Sequence, residues 1–148
     1  MNRFQQLVEQ VTEQSFDGLA RRYHRFRRSS HDGAIVADCV GSNLRCAHDW
    51  GWCEDIMDAP RSGALYTPDE LVDELSDRAE EHGVDVVRLS GMEPVMEDDH
   101  LLTVADRLPP DITLRIDTNG MLLSREYLEA IHRRHDDLAV RISFKGHD

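Results

Sequence analysis

The sequence predicts an α/β fold: a parallel sheet of about four βα units, preceded by an N-terminal helical arm. Three observations carry that expectation. Four short apolar runs read as buried strands: "AIVADC", "VDVVRLSG", "ITLRIDTNG" and "LAVRISFKG". Stretches with helical periodicity lie between them, and strands alternating with helices of that length form βαβ units. The length, 148 residues, suits one domain with one hydrophobic core. The boundaries expected are an arm over residues 1–33 and an α/β domain over 34–148.

Residues 1–28 read as helical. Phe4, Leu7, Val8 and Val11 recur at helical spacing, and Phe16, Leu19, Tyr23 and Phe26 continue it beyond a soft break at Gly18. The turn cluster "SSHDG" then changes the period. The first inter-strand helix starts at a capping box, Thr67 with Glu70, with Pro68 at its first position, and runs to about His82-Gly83. The second spans about Asp98 to Leu108 and is stopped by Pro109-Pro110. The third begins at the N-cap Ser124 and covers "REYLEAIHRR". The last strand leaves an unpaired side, and such edges are normally covered. The arm, a partner chain, a homo-oligomer or the remainder of a larger barrel are the candidates.

Composition narrows the function classes. Asp and Glu number 29 against 17 Lys and Arg, a formal net charge of −12, which repels polyanions and argues against nucleic acid. The same acidity is of the kind found in salty cytoplasm, where salt screens carboxylate repulsion. No apolar run approaches the roughly 20 residues that cross a bilayer, and "MNRFQQLVEQVTEQ" has no secretory pattern, so a soluble, cytoplasmic protein is expected. The basic stretch "RRYHRFRR", Arg21 to Arg28, is expected to pair with acidic helices such as "DELVDELSDRAEE". No phosphate-binding loop, nucleophile elbow or paired-carboxylate arrangement is present in the sequence.

In parallel α/β folds ligands collect at the carboxyl ends of the strands. Here those ends carry the segment "DCVGSNLRCAHDWGWC", then "SGMEP", "DTNG" and "SFKG". The first holds all three cysteines, Cys39, Cys46 and Cys53. In a reducing compartment clustered thiols point to metal or redox chemistry.

The order of these loops resembles the radical S-adenosylmethionine (radical SAM) superfamily over roughly Ala34 to Gly146. "SNLRCAHD" is similar to the family's cysteine loop at Asn43, Leu44, Arg45 and Cys46. "GMEP" is similar to its second loop at Gly91, Glu93 and Pro94, and "DTNG" to its third at Thr118, Asn119 and Gly120. The resemblance implies a partial (β/α) barrel, a [4Fe-4S] cluster on three thiolates, and SAM chelated to the open iron. It further implies an electron donor, reductive cleavage to a 5′-deoxyadenosyl radical, and a small-molecule or protein substrate. The cofactor carries that chemistry; the protein positions it.

The register departs from the family at two places, where Ser42 and Asp49 stand instead of cysteine. Hard oxygen serves an iron–sulfur cluster poorly. Two readings follow. In one, Cys39, Cys46 and Cys53 converge on the cluster as a C-x6-C-x6-C set. In the other, the chain is a degenerate relative without a cluster, acting as a binding or assembly module, with Cys39 a small apolar strand end. A zinc site completed by His48 and Asp49 is the weaker third, since the cysteines lack the usual close pairing.

The implied SAM contacts are Gly91, Met92, Glu93, Pro94, Asn119, Ser143 and Lys145. Met92 adds bulk where the family has a second glycine and restricts positive φ. Asn119-Gly120 is by itself an ordinary turn signal, and Lys145, the only lysine, reads equally as a solvated strand end. Trp50 and Trp52 wall a cofactor or plug the core.

Overall fold

A computed structural model describes residues 2–42 and 63–143 of the chain. Helix α1 (Arg3–Ser15) begins at a capping box between Asn2 and Gln5. Strands β1 (Phe16–Asp17), β2 (Ala20–Arg28), β3 (Ile35–Cys39) and β4 (Ala64–Tyr66) follow. Then come α2 (Pro68–His82), β5 (Val86–Gly91), α3 (Asp98–Arg107), β6 (Thr113–Thr118), α4 (Arg125–Arg134) and β7 (Leu138–Ile142). The strands form one curled half-barrel sheet in the order β1-β2-β3-β5-β6-β7, with β4 paired to the far side of β2.

Strands β3, β5, β6 and β7 run parallel, as the βαβ pattern requires. The sheet as a whole is mixed, because β1, β2 and β4 pair antiparallel. The expected helical arm is therefore only half a helix. Residues 16–28 form a hairpin that turns at Gly18, where φ is +59°. The misleading signal has a physical source. Tyr23 pairs with Cys39, Arg25 with Asp38 and Phe26 with Ala37, so a bulge at His24 inserts one extra residue. The bulge brings Tyr23 and Phe26, three apart, onto one face, and a three-residue apolar spacing imitates a helix. The two rings stack with centroids 6.5 Å apart, and Phe26 meets Tyr66 edge-on at 5.3 Å.

The three helices after β4 follow the sequence closely. In α2 the box closes with Glu70 N–H on Thr67 Oγ1 at 3.2 Å and Thr67 N–H on Glu70 Oε1 at 3.0 Å. Leu71, Val72, Leu75 and Ala79 form the buried stripe, and Gly83 ends the helix in the left-handed conformation. Each fully buried leucine contributes roughly 2 kcal/mol of transfer free energy. Ser124 caps α4 by accepting from Tyr127 N–H at 3.0 Å. All three helices lie on one face of the sheet, over Ile35, Ala37, Cys39, Val87, Leu89, Leu114 and Ile116.

Strand β7 pairs only with β6 among the described residues, which leaves the expected open edge. The arm does not cover it, because β1 and β2 lie at the opposite end of the sheet. The basic stretch is paired internally, yet to a different acid than the helices. Arg25 and Arg27 both bond Asp38 on the neighbouring strand, at 2.5 and 2.8 Å. No helix among the described residues is long and apolar enough to cross a membrane.

A buried pair ties the hairpin to α3. His100 Nδ1 lies 2.7 Å from the Leu19 carbonyl, which only accepts, so this nitrogen carries the proton. His100 Nε2 then accepts from the Tyr23 hydroxyl at 2.8 Å. Burial pushes the His100 pKa down to about 4. Below the ordinary value of 6.5 the unfolded chain therefore binds a proton that the folded one refuses. Stability from this source is complete above pH 6.5 and is lost as pH falls toward 4, by up to about 3 kcal/mol. Melting temperature measured at constant ionic strength is expected to fall through that window. In His100→Gln the slope is expected to flatten; an unchanged slope would locate the proton uptake elsewhere.

Candidate functional site

The carboxyl ends of β3, β5 and β6 meet at one residue, Glu93. Its side chain is fully buried. Oε2 accepts from Thr118 Oγ1 at 2.6 Å and from Val95 N–H at 3.1 Å, while Oε1 accepts from Asn119 N–H at 2.7 Å. The Glu93 N–H donates to Gly41 O at 3.1 Å, and Met92 N–H to Cys39 O at 3.1 Å. The "GMEP" loop is thereby joined to the loop after β3 on one side and to "DTNG" on the other. A buried carboxylate is tolerable because its acceptor positions are filled by three donors.

The same loop is gripped from β2 by a residue the sequence reading did not single out. Arg21 is 1 % exposed. Its Nη1 donates to Pro94 O at 2.9 Å, and its Nη2 to Glu93 O at 2.5 Å, with Val40 O and Gly41 O at 3.3 and 3.4 Å. The guanidinium also lies over the Phe16 ring, 4.8 Å from its centroid. A strand pattern with period two through Arg21 and Tyr23 is the signal for this inward arginine, and the bulge breaks it after two members.

Glycine is required at the rim for steric reasons. Gly41, Gly91 and Gly120, following or ending three parallel strands, have φ of +93°, +92° and +79°. A Cβ on Gly91 would meet Cys39 N at 2.5 Å, and one on Gly41 would meet Ser15 Oγ at 2.3 Å. Positive φ falls on Gly91 and not on Met92, so the bulk of Met92 is accommodated.

The implied SAM contacts thus divide. Gly91, Met92, Glu93, Pro94 and Asn119 come together, with Glu93 and Pro94 buried and Met92 half-buried. Asn119 Oδ1 also takes Met121 N–H at 2.9 Å, closing the turn. Ser143 follows β7 and its N–H donates to Thr118 O at 2.8 Å, which places it beside the third loop. Lys145 lies outside the described residues, as do Cys46, Cys53, His48, Asp49, Trp50 and Trp52.

Of the three cysteines proposed for the metal, Cys39 is the one described. It faces the helix side of the sheet, 0 % exposed, within the core that includes Tyr23, Leu71 and Leu89. Burial pushes its thiol up to about 11, where it stays protonated at neutral pH. A cluster ligand binds as thiolate, whereas here the Cys39 thiol is enclosed by core side chains. Among the described residues no group of three or more His, Cys, Asp or Glu side chains is arranged to hold a metal ion.

No protein-family model matches the chain, and no curated protein matches it.

Two substitutions measure the rim. Glu93→Gln keeps the shape but turns an amide NH2 against at least one of the three donors, at an expected cost of about 1–3 kcal/mol. Gly91→Ala is expected to cost more than Gly83→Ala, whose added Cβ has nothing within 4 Å. Urea denaturation of the three variants reads both; equal midpoints for the two alanine variants would deny the close approach at Gly91.

Proposed function

We propose that the chain is a radical SAM-like partial (β/α) barrel domain that works as a binding module without a [4Fe-4S] cluster. The observation that carries the reading is the placement of Cys39. Its thiol is enclosed on the helix face among core side chains, 0 % exposed, and cluster assembly needs sulfurs presented together to the metal. Ser42 and Asp49, at two positions that the family motif gives to cysteine, add hard oxygen in place of soft sulfur. The "GMEP" carboxylate also supports it, since Glu93 is buried and engaged in three internal hydrogen bonds.

The radical SAM-like architecture is supported by the order of the loops along the sheet. The cysteine loop follows β3, "GMEP" follows β5 and "DTNG" follows β6, on adjacent parallel strands. Three positive-φ glycines let backbone approach closely there. Such a rim holds a ligand by backbone groups.

Anaerobic reconstitution with iron and sulfide tests it. The wild-type chain is expected to retain far less than the complement of a [4Fe-4S] cluster, and Cys39→Ala is expected to change nothing. Ser42→Cys with Asp49→Cys, which restores the family spacing around Cys46, is expected to gain iron and its visible absorbance. Full iron and sulfide on the wild-type chain, lost in Cys39→Ala, would overturn the reading and favour the cluster-bearing enzyme.

A further inference from the structure

The face of the sheet turned away from α2, α3 and α4 is ionic. Strand alternation puts Arg88 and Ser90 of β5, Arg115 and Asp117 of β6, and Arg141 of β7 on it, beside Arg25, Arg27 and Asp38. The register sets Arg88 directly across from Arg115. Facing guanidiniums repel unless an anion stands between them. Asp32, from the turn before β3, supplies one: its Oδ2 accepts from both Arg88 and Arg115. In the next row Asp117 Oδ2 accepts from Ser90 at 3.2 Å and from Arg141 at 2.8 Å. Asp137 holds the Thr113 hydroxyl at the amino end of β6, at 2.8 Å.

Among the described residues, the guanidiniums of Arg88, Arg115 and Arg141 are joined through the carboxylates of Asp32 and Asp117. Each guanidinium offers five donors in a planar fork that matches an oxyanion. Side chains of Arg115 and Arg141 remain 38 % and 67 % exposed, and Arg88 Nε, buried without a hydrogen bond, lies 3.7 Å from Asp117 Oδ2. Guanidinium donors that reach solvent on one sheet face, and that already bracket a carboxylate there, suit the recognition of an oxyanion.

We infer that this face binds a small molecule carrying two oxyanion groups, one seated between Arg88 and Arg115 where the Asp32 carboxylate stands, the other on Arg141. Asp32 competes for the first position, so the ligand exchanges with a carboxylate on a turn instead of entering a bare cationic site. Phosphate and carboxylate share the required chemistry.

Pyrophosphate and citrate are the probes, titrated into the full chain at matched ionic strength while the arginine Nε–H resonances are followed by NMR. Saturable shifts at Arg88, Arg115 and Arg141 are expected. A preference for pyrophosphate marks a phosphate ligand, and a preference for citrate a carboxylate ligand. Arg115→Ala and Arg141→Ala, at exposed positions, are expected to weaken binding about tenfold each. Asp32→Asn is expected to tighten it several-fold by removing the competitor; should that variant fail to fold, the two arginine variants carry the test. Arg125→Ala, on the outside of α4, is expected to leave binding unchanged. Non-saturating shifts that chloride reproduces, or unchanged affinity in Arg115→Ala, would overturn the proposal.

Discussion

Two buried charges on either side of one short loop hold the parallel half of this molecule together. Arg21 takes the loop by its carbonyls, and the Glu93 carboxylate passes the grip on to Thr118 and Asn119. Burying an unpaired charge is prohibitive, so each group is viable only while the strands stay in register to supply its partners. The constraint therefore runs both ways. The sheet order β2-β3-β5-β6 satisfies the two side chains, and the two side chains fix the loops that leave that sheet. The position of Gly91 follows, because the Cys39 backbone drawn this close leaves no room for a Cβ there, while at Gly41 the Ser15 side chain fills that space.

The helices and parallel strands were legible because each is signalled locally. Thr67 with Glu70, Pro68, Ser124 and Pro109 mark ends by hydrogen-bond and steric rules acting within a few residues. The hairpin at residues 16–28 was not, because its register depends on a partner strand and on a one-residue bulge that no local rule announces. Strand β4, three residues long, is set by pairing with β2 and carries little signal of its own. The arginine face was written in the strands all along, as "VRLS", "LRID" and "VRIS". Each places an arginine two residues before a polar side chain, a repeat hidden when those runs are read only for their apolar half.

The loops that resemble the radical SAM family turn out to have strong architectural reasons of their own. Gly91 is held to glycine by the backbone of Cys39, and Glu93 by three donors. Thr118 donates to that carboxylate and also receives Gly120 N–H at 3.1 Å. A sequence can therefore carry these residues for the sake of strand ends that fit, whatever becomes of a cofactor. Cys39 makes the converse point. Its position in the cysteine segment suggested metal, while its place on the strand made it core.

The charges of this protein sort by range. On α2 the acidic side chains Asp69, Glu70, Asp73, Asp77, Glu80 and Glu81 point outward into solvent, and their mutual repulsion is carried through water. At about 1 M salt the screening length shrinks to roughly 3 Å, so that repulsion fades. The contacts between guanidinium and carboxylate across the sheet are already that short and partly shielded from ions. Concentrated brine would thus quiet the helices and spare the sheet, leaving the ion pairs across the strands as the charges that still act.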